Sequence, residues 1–199
     1  PGAKFIPGYE VANSCRFDGT SGMNKASVSG TQTKATFSAW VKRGTVSGEQ
    51  HLFWSRIDVN NGMFIRFTSS QTLEIWNRTG GSNTVNYITN AIYRDPSAWM
   101  HVLVVLDTTQ GTAGNRVKLF VNGTQVTSFS TETQPDEDSN LSVNTTSDTY
   151  YVGTEMATGS NYFNGYMAEV VWLDGTAGAT TDFGEFDEDS PTIWKPIDV

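Results

Sequence analysis

The stretch from Trp99 to Gly123, WMHVLVVLDTTQGTAGNRVKLFVNG, decides the fold. Trp99 to Leu106 is a β-branched and aromatic run, too short for a buried helix of ordinary length. Asp107 to Asn115 is polar and holds two glycines. After it, Val117, Leu119 and Val121 alternate with Lys118, Phe120 and Asn122, the period of two of a half-buried strand. Asn122-Gly123 closes the unit, because that dipeptide tolerates the positive φ of a tight turn. The centre of the molecule is therefore antiparallel sheet.

Working towards the N-terminus, Ala35 to Lys42 places Phe37, Ala39 and Val41 on one face and Ser38, Trp40 and Lys42 on the other. Leu52 to Ile57, Met63 to Thr68 and Leu73 to Asn77 continue the meander, divided by Asn60-Asn61-Gly62 and a Ser69-Ser70 turn. Thr84 to Thr89 follows Gly80-Gly81, and Tyr93 to Ser97, with Pro96, is a loop. Further back lie an edge strand over Ala26 to Ser29 and a first strand carrying Cys15 and Phe17 inward. Pro1 to Gly8 is an extended lead-in.

Towards the C-terminus, Thr131 to Ser147 is polar enough to be a long surface loop. Tyr150 to Gly153 returns to the sheet. Phe163 to Leu173 is the last strong strand, with Tyr166, Ala168, Val170 and Trp172 as its core set opposite Met167, Glu169, Val171 and Leu173. Asp182 is placed to cap one helical turn over Phe183 to Phe186. Ten or so strands, regular turns and no amphipathic helix predict an all-β fold, a two-sheet antiparallel jelly-roll sandwich, with a closed barrel as the alternative.

The 199 residues suit one domain, 1–199, with 176–199 as a C-terminal extension. The net charge of −8 and the lack of any Lys/Arg cluster argue against a nucleic-acid partner. No apolar run is long enough for a membrane-spanning helix, so no membrane insertion is expected. The N-terminus lacks the basic region and apolar core of a signal peptide. Starting at Pro1-Gly2 and ending at Val199, the sequence reads as part of a longer chain or assembly. Its one cysteine, Cys15, is expected to be a buried, inert thiol.

Several short motifs occur in order: Arg16-Phe17-Asp18-Gly19, Phe37 to Lys42, Trp99 to His101 followed by Asp107, Lys118 to Gly123, Tyr151-Val152-Gly153, Phe163-Asn164-Gly165 and Ala168-Glu169-Val170. On these the sequence resembles a laminin-G-like domain of the concanavalin-A-like lectin/glucanase superfamily, a two-sheet jelly roll. Asn13-Ser14, Trp40 to Arg43, Asp182 to Asp187 and Trp194-Lys195-Pro196 further resemble such domains in tail and fibre proteins of marine bacteriophages. The resemblance implies a lectin-like module of a virion, an extracellular particle, whose partners are other virion proteins and a cell-surface glycan or polysaccharide of the host envelope. A structural decoration or assembly domain is the alternative, and a polysaccharide-cleaving glycoside hydrolase the second.

The hydrolase reading needs a strand bearing paired carboxylates about 5 Å apart for a retaining mechanism. The one candidate, Glu185 to Asp189, follows the last apolar strand, precedes Pro191 and has no β-branched flanks, so it reads as a solvated acidic turn and no catalytic residue is assigned. His51 and His101 sit in no triad or metal spacing, and His101 reads as a structural residue hydrogen-bonded at a strand start.

Sugars stack their C–H faces on aromatic rings and pair their hydroxyls with Asn, Asp and Arg. Trp54, Trp76, Asn77, Arg78, Tyr87, Tyr93 and Tyr162 are therefore the candidate ligand residues, with core filling as the competing role of each aromatic. The resemblance also implies a calcium ion at the sandwich rim. Asp58, Asn60 and Asp107 are the candidate Ca2+ ligands, against the simpler role of acidic loops that keep the protein soluble. Finally, Met167, Val171 and Leu173 with Trp40 form an apolar second face. Either the segment from Thr176 to Val199 or another subunit of a homo-oligomer must cover it.

Overall fold

The computed structural model describes residues 9–156 and 160–199, so the lead-in expected over residues 1–8 lies outside the described residues. Two antiparallel sheets face each other. The first has six strands in the order β1 (Cys15–Asp18), β13 (Asn164–Asp174), β3 (Lys34–Arg43), β8 (Met100–Asp107), β9 (Val117–Val121) and β10 (Thr124–Val126). The second has seven, in the order β11 (Phe129–Thr133), β7 (Ser82–Thr89), β6 (Leu73–Thr79), β5 (Gly62–Phe67), β4 (Gln50–Arg56), β12 (Thr149–Val152) and β2 (Met23–Ala26). A small hairpin, β14 (Gly184–Phe186) with β15 (Trp194–Pro196), follows. The only helical turns among the described residues are two short 3-10 turns, Ala113–Asn115 and Thr180–Asp182. This is the jelly-roll sandwich that the periodicity predicted.

The hairpin that decided the fold pairs Val102 with Val121 and Leu106 with Val117. Asn122 and Gly123 both take positive φ, 49° and 74°, which gives the right-handed strand twist a two-residue turn it can accept. Strand β3 sits between β13 and β8, and its predicted inward set, Phe37, Ala39 and Val41, lies in the core with Leu52, Ile65, Ile75 and Val104.

Five expectations need correction. Cys15 is exposed, because it opens the outermost strand of the six-stranded sheet, which has a neighbour on one side only. The edge strand β2 starts and ends earlier than Ala26 to Ser29, reaching only Ala26.

The segment from Thr131 to Ser147 is not a surface loop throughout. It begins inside β11, which pairs with β7, and Leu141 to Asn144 is buried. Leu141 and Val143 enter the core, and polar side chains satisfy the backbone around them. Asn77 Oδ1 accepts the Ser142 N–H at 2.9 Å, Ser142 Oγ donates to the Arg78 carbonyl at 2.6 Å, and Trp172 Nε1–H donates to Asn144 Oδ1 at 3.0 Å. A segment poor in large apolar residues closes one end of the sandwich by satisfying backbone groups.

Strand β13 does not keep one face. Ala168 pairs with Trp40 but Val171 pairs with Ser38, so one extra residue is inserted, and Glu169 within it has φ 48°. This bulge reverses the parity. Before it Met167 points into the core, while Ala168 lies outside with Trp40 and Trp194. After it Trp172 packs against the core, while Val171 and Leu173 lie outside. Tyr166 and Val170, expected in the core, are exposed.

The outer face of the six-stranded sheet is covered by the chain's own C-terminal segment. Phe183 is buried with Leu103 and Val105, against Phe120, Val171 and Leu173. Trp194 is buried with Trp40 and Ala168. Asp182 does not begin a helical turn. It ends one, its Oδ2 accepting the Ala179 N–H at 2.8 Å.

Candidate functional site

The sequence candidates divide by face. Trp54, Phe64 and Trp76 are directly opposite one another on β4, β5 and β6, on the outer face of the seven-stranded sheet. Their ring planes are 16° apart in each pair, with centroids at 5.1 and 4.9 Å. That spacing is the strand spacing, so the rings stand on edge with their faces against one another. A sugar needs a free face. Trp54 and Phe64 have spent theirs, Trp54 also lying 4.9 Å from His51, and both are buried. Only Trp76, at the end of the row and half-buried, keeps a side towards Asn86.

Asn77 points inward and is fully buried, tied to Thr79, Thr84 and Ser142, so it is a structural amide. Tyr87 is a core residue packed edge-on against Phe129, and burial pushes its hydroxyl up to about 12. Arg78 bonds the Gly81 and Val59 carbonyls. Tyr162 stands apart, beside Thr20, Ser21 and Tyr151. The seven residues do not form one site.

The calcium candidates do not converge either. Asp58 Oδ1 accepts the Asn60 N–H at 2.7 Å and Asn61 Nδ2–H at 3.0 Å, a closed turn that holds its carboxyl below the usual range. Asp107 is taken up by Thr109, Gln110 and Lys34. Among the described residues no three acidic, His or Cys side chains gather in a metal-sized cluster, and the carboxylate oxygens are already occupied by their own loops. The donor set does not fit a shared calcium site.

Glu185 and Asp187 do lie on and beside a strand, β14, which the sequence reading did not allow. Both, however, are tied to Lys195, at 3.2 and 3.5 Å. Asp187 also accepts the Asp189 and Ser190 N–H groups, chiefly the latter, which keeps its carboxyl below the ordinary range and ionised. Asp187 is therefore not arranged as the protonated acid of a glycosidase pair.

Two grooves meet instead at Trp99, which the sequence does not single out as a ligand residue. Trp99, just before β8, is 38% exposed and lines both. One groove, of 390 Å³, is walled by Tyr9, Glu10, Asn13, Ser14, Trp40 and Pro196. The other, of 370 Å³, is walled by Arg43, Tyr93, Arg94, Asp95 and Asn122, with apolar Ile92 and Met100. Of the sequence candidates, Tyr93 alone belongs here.

Local sequence explains the placement. Pro96 and the Asp95–Ser97 turn, with Ser97 N–H and Oγ both on Asp95 Oδ1, lift the chain out before β8 begins at Met100. Trp40, behind the first groove, stacks on His101 at 5.1 Å. Its Nε1–H is buried without a hydrogen-bond partner among the described residues. His101 is fixed from both sides. Trp194 Nε1–H donates to its Nδ1 at 3.1 Å, which leaves the proton on Nε2 to be donated to Ser38 Oγ at 2.8 Å. Burial lowers its pKa to about 4, so the ring is neutral and structural, as the sequence implied.

The wall of the second groove holds Arg43, only 3% exposed, its guanidinium 4.2 Å from the Phe67 ring centroid. Its acceptors are Gln50 Oε1, Gln71 Oε1 and the Tyr93 carbonyl, all neutral. Burial lowers its pKa to about 10, which still leaves it charged at neutral pH.

A family profile described as "Concanavalin A-like lectin/glucanases superfamily" matches residues 17–180. No curated protein matches the sequence. Among solved structures the chain is similar to a heptameric SAP-like pentraxin from Limulus polyphemus (15% identity, TM-score 0.57, covering 82% of this chain and 77% of that one). It is also similar to domain 4 of a GH43 extracellular arabinanase from Geobacillus stearothermophilus, solved with arabinotriose (18%, 0.54, 83% and 72%). A third likeness is to the mouse laminin α1 LG4-5 domains (13%, 0.53, 80% and 40%). At these identities the likeness is one of fold. The profile match spans β1 to the end of β13 and stops as the covering segment begins, and on it the chain belongs to the concanavalin A-like lectin/glucanases superfamily.

Proposed function

We propose that this protein is a non-catalytic carbohydrate-binding module of a virion appendage that contacts host-cell envelope glycans. The observation that carries the reading is Trp99, an exposed indole standing between two grooves whose walls offer Asn, Asp, Glu and Arg side chains. An aromatic face flanked by fixed polar groups is what a pyranose ring requires: the ring stacks and its hydroxyls pair. The virion setting rests on the resemblance stated above, part of which falls on Asp182 to Asp187 and Trp194 to Pro196. The purely structural reading drew its force from an uncovered apolar strip, and Phe183 and Trp194 cover that strip within the same chain.

A glycan array probed with the intact chain, with calcium and with chelator, tests the reading. Binding is expected in both conditions, and Trp99→Ala should weaken it at least tenfold, the loss of one stacking ring at about 1.5 kcal/mol. Absence of binding to every glycan overturns the proposal. Glu185→Gln and Asp187→Asn should leave bound-glycan signal unchanged, with no release of reducing ends by the parent. Release abolished by either substitution would establish a hydrolase.

A further inference from the structure

We infer that the groove between the Tyr93–Trp99 segment and the β9–β10 turn is a subsite for a carboxylate-bearing sugar, such as a uronic acid. The inference rests on the carbohydrate reading and specifies its ligand. Arg43 supplies the argument. A guanidinium has five N–H donors. Four bonds are made: one from Nε, one from Nη1 and two from Nη2. One Nη1 hydrogen is left without an acceptor among the described residues.

A buried charge with only neutral acceptors is costly to keep, and it is most stable when an anion reaches it. Gln50, Gln71 and the Phe67 ring hold the guanidinium from behind, while Arg43 itself lines the groove. Arg94 adds a second cation to the same wall. The one acid there, Asp95, has Oδ1 engaged by Ser97 N–H and Oγ–H, so its charge is partly spent in its own turn. One carboxylate oxygen suits the free Nη1 hydrogen, and Trp99 gives the sugar ring its stacking surface beside it. A hydroxyl of a neutral sugar can accept the Nη1 hydrogen as well, but it brings no negative charge to the guanidinium.

The test compares trigalacturonate with its fully methyl-esterified form, which has the same rings and linkages but no charge. In the intact 15N-labelled chain, trigalacturonate should shift the Trp99 indole and Arg43 side-chain resonances and bind at least tenfold more tightly than the ester. Arg94→Ala, at the surface, should reduce that preference without unfolding the protein. Equal affinity for acid and ester, with Trp99→Ala weakening both, overturns the inference and leaves the carbohydrate reading standing. If trigalacturonate shifts residues elsewhere, or does not bind, the inference also fails, and only a blank array of neutral and acidic glycans would take the carbohydrate reading with it.

Discussion

His101 shows how a single side chain ties the sandwich to its cover. Its ring accepts from Trp194 and donates to Ser38, and it does so only while neutral. The folded pKa of about 4 lies below the ordinary value of 6.5, so the unfolded chain binds the extra proton more readily. The stabilisation is therefore present above pH 6.5 and is lost as pH falls towards 4. His51, lowered to about 3 by burial, acts in the same direction. Asp148, raised to about 6 by burial, opposes them, since its preference for the protonated form favours the fold at low pH. With two histidines against one carboxyl, denaturant midpoints are expected to drop between pH 6.5 and 4. His101→Gln, which keeps a donor and an acceptor but does not titrate, should flatten that drop; an unchanged profile would show that His101 does not carry it. From sequence His101 was readable as structural, but its partner lies 93 residues away, which no local pattern reveals. The same distance hid Trp99. An aromatic before a strand reads as core until the covering segment and the adjoining loop are seen to leave it bare.

At the scale of elements, strands with strict alternation were legible and the interrupted one was not. β3 and β9 keep period two, and their faces follow from it. β13 carries both periods in one apolar run, and because apolar residues lie on both of its faces, Glu169 reads from sequence as an outward face position and not as the place where the faces switch. The signal is conformational: Glu169 at φ 48° costs about 1–2 kcal/mol for a side-chain-bearing residue. Deleting Glu169 should leave simple pairing with β3 in the present register, Met167 opposite Val41, Val170 opposite Ala39 and Trp172 opposite Phe37, so both core side chains stay inward. Little stability should be lost, because no large side chain leaves the core. A fall of several kcal/mol in urea unfolding, about that of one or two large buried side chains, would refute the assignment of the bulge. The ladder of Trp54, Phe64 and Trp76 failed as a platform for a related reason: sequence places three aromatics on adjacent strands, but only register sets them opposite one another and closes their faces.

For the whole molecule, a two-sheet sandwich followed from periodicity, while the third layer was legible only as one of two covers for the apolar outer face, residues 176–199 or another subunit. Residues 176–199 are acidic, and no periodicity in them says which of Phe183, Phe186, Ile193 and Trp194 turn inward. Truncation after Gly175 uncovers Leu103, Val105, Trp40 and Ala168 and removes both large rings. It should destabilise the chain by about 3–6 kcal/mol, two buried aromatics at the usual transfer free energy. Urea unfolding of the truncated chain measures this, and a midpoint unchanged from the parent would mean the outer face does not depend on its cover.

That cover also sets a timetable. During translation a chain grows at about 5–20 residues per second, and its early parts fold before its last parts exist. The two sheets are complete once β13 has emerged, yet the face holding Trp40, Leu103 and Val105 stays bare until Trp194 follows. For an interval of about a second or more the nascent domain displays a sticky flank beside its neighbours on the same message. Chains stalled with β13 outside the exit tunnel and Trp194 still within it should therefore recruit chaperones, and chains in which Trp194 has emerged should not.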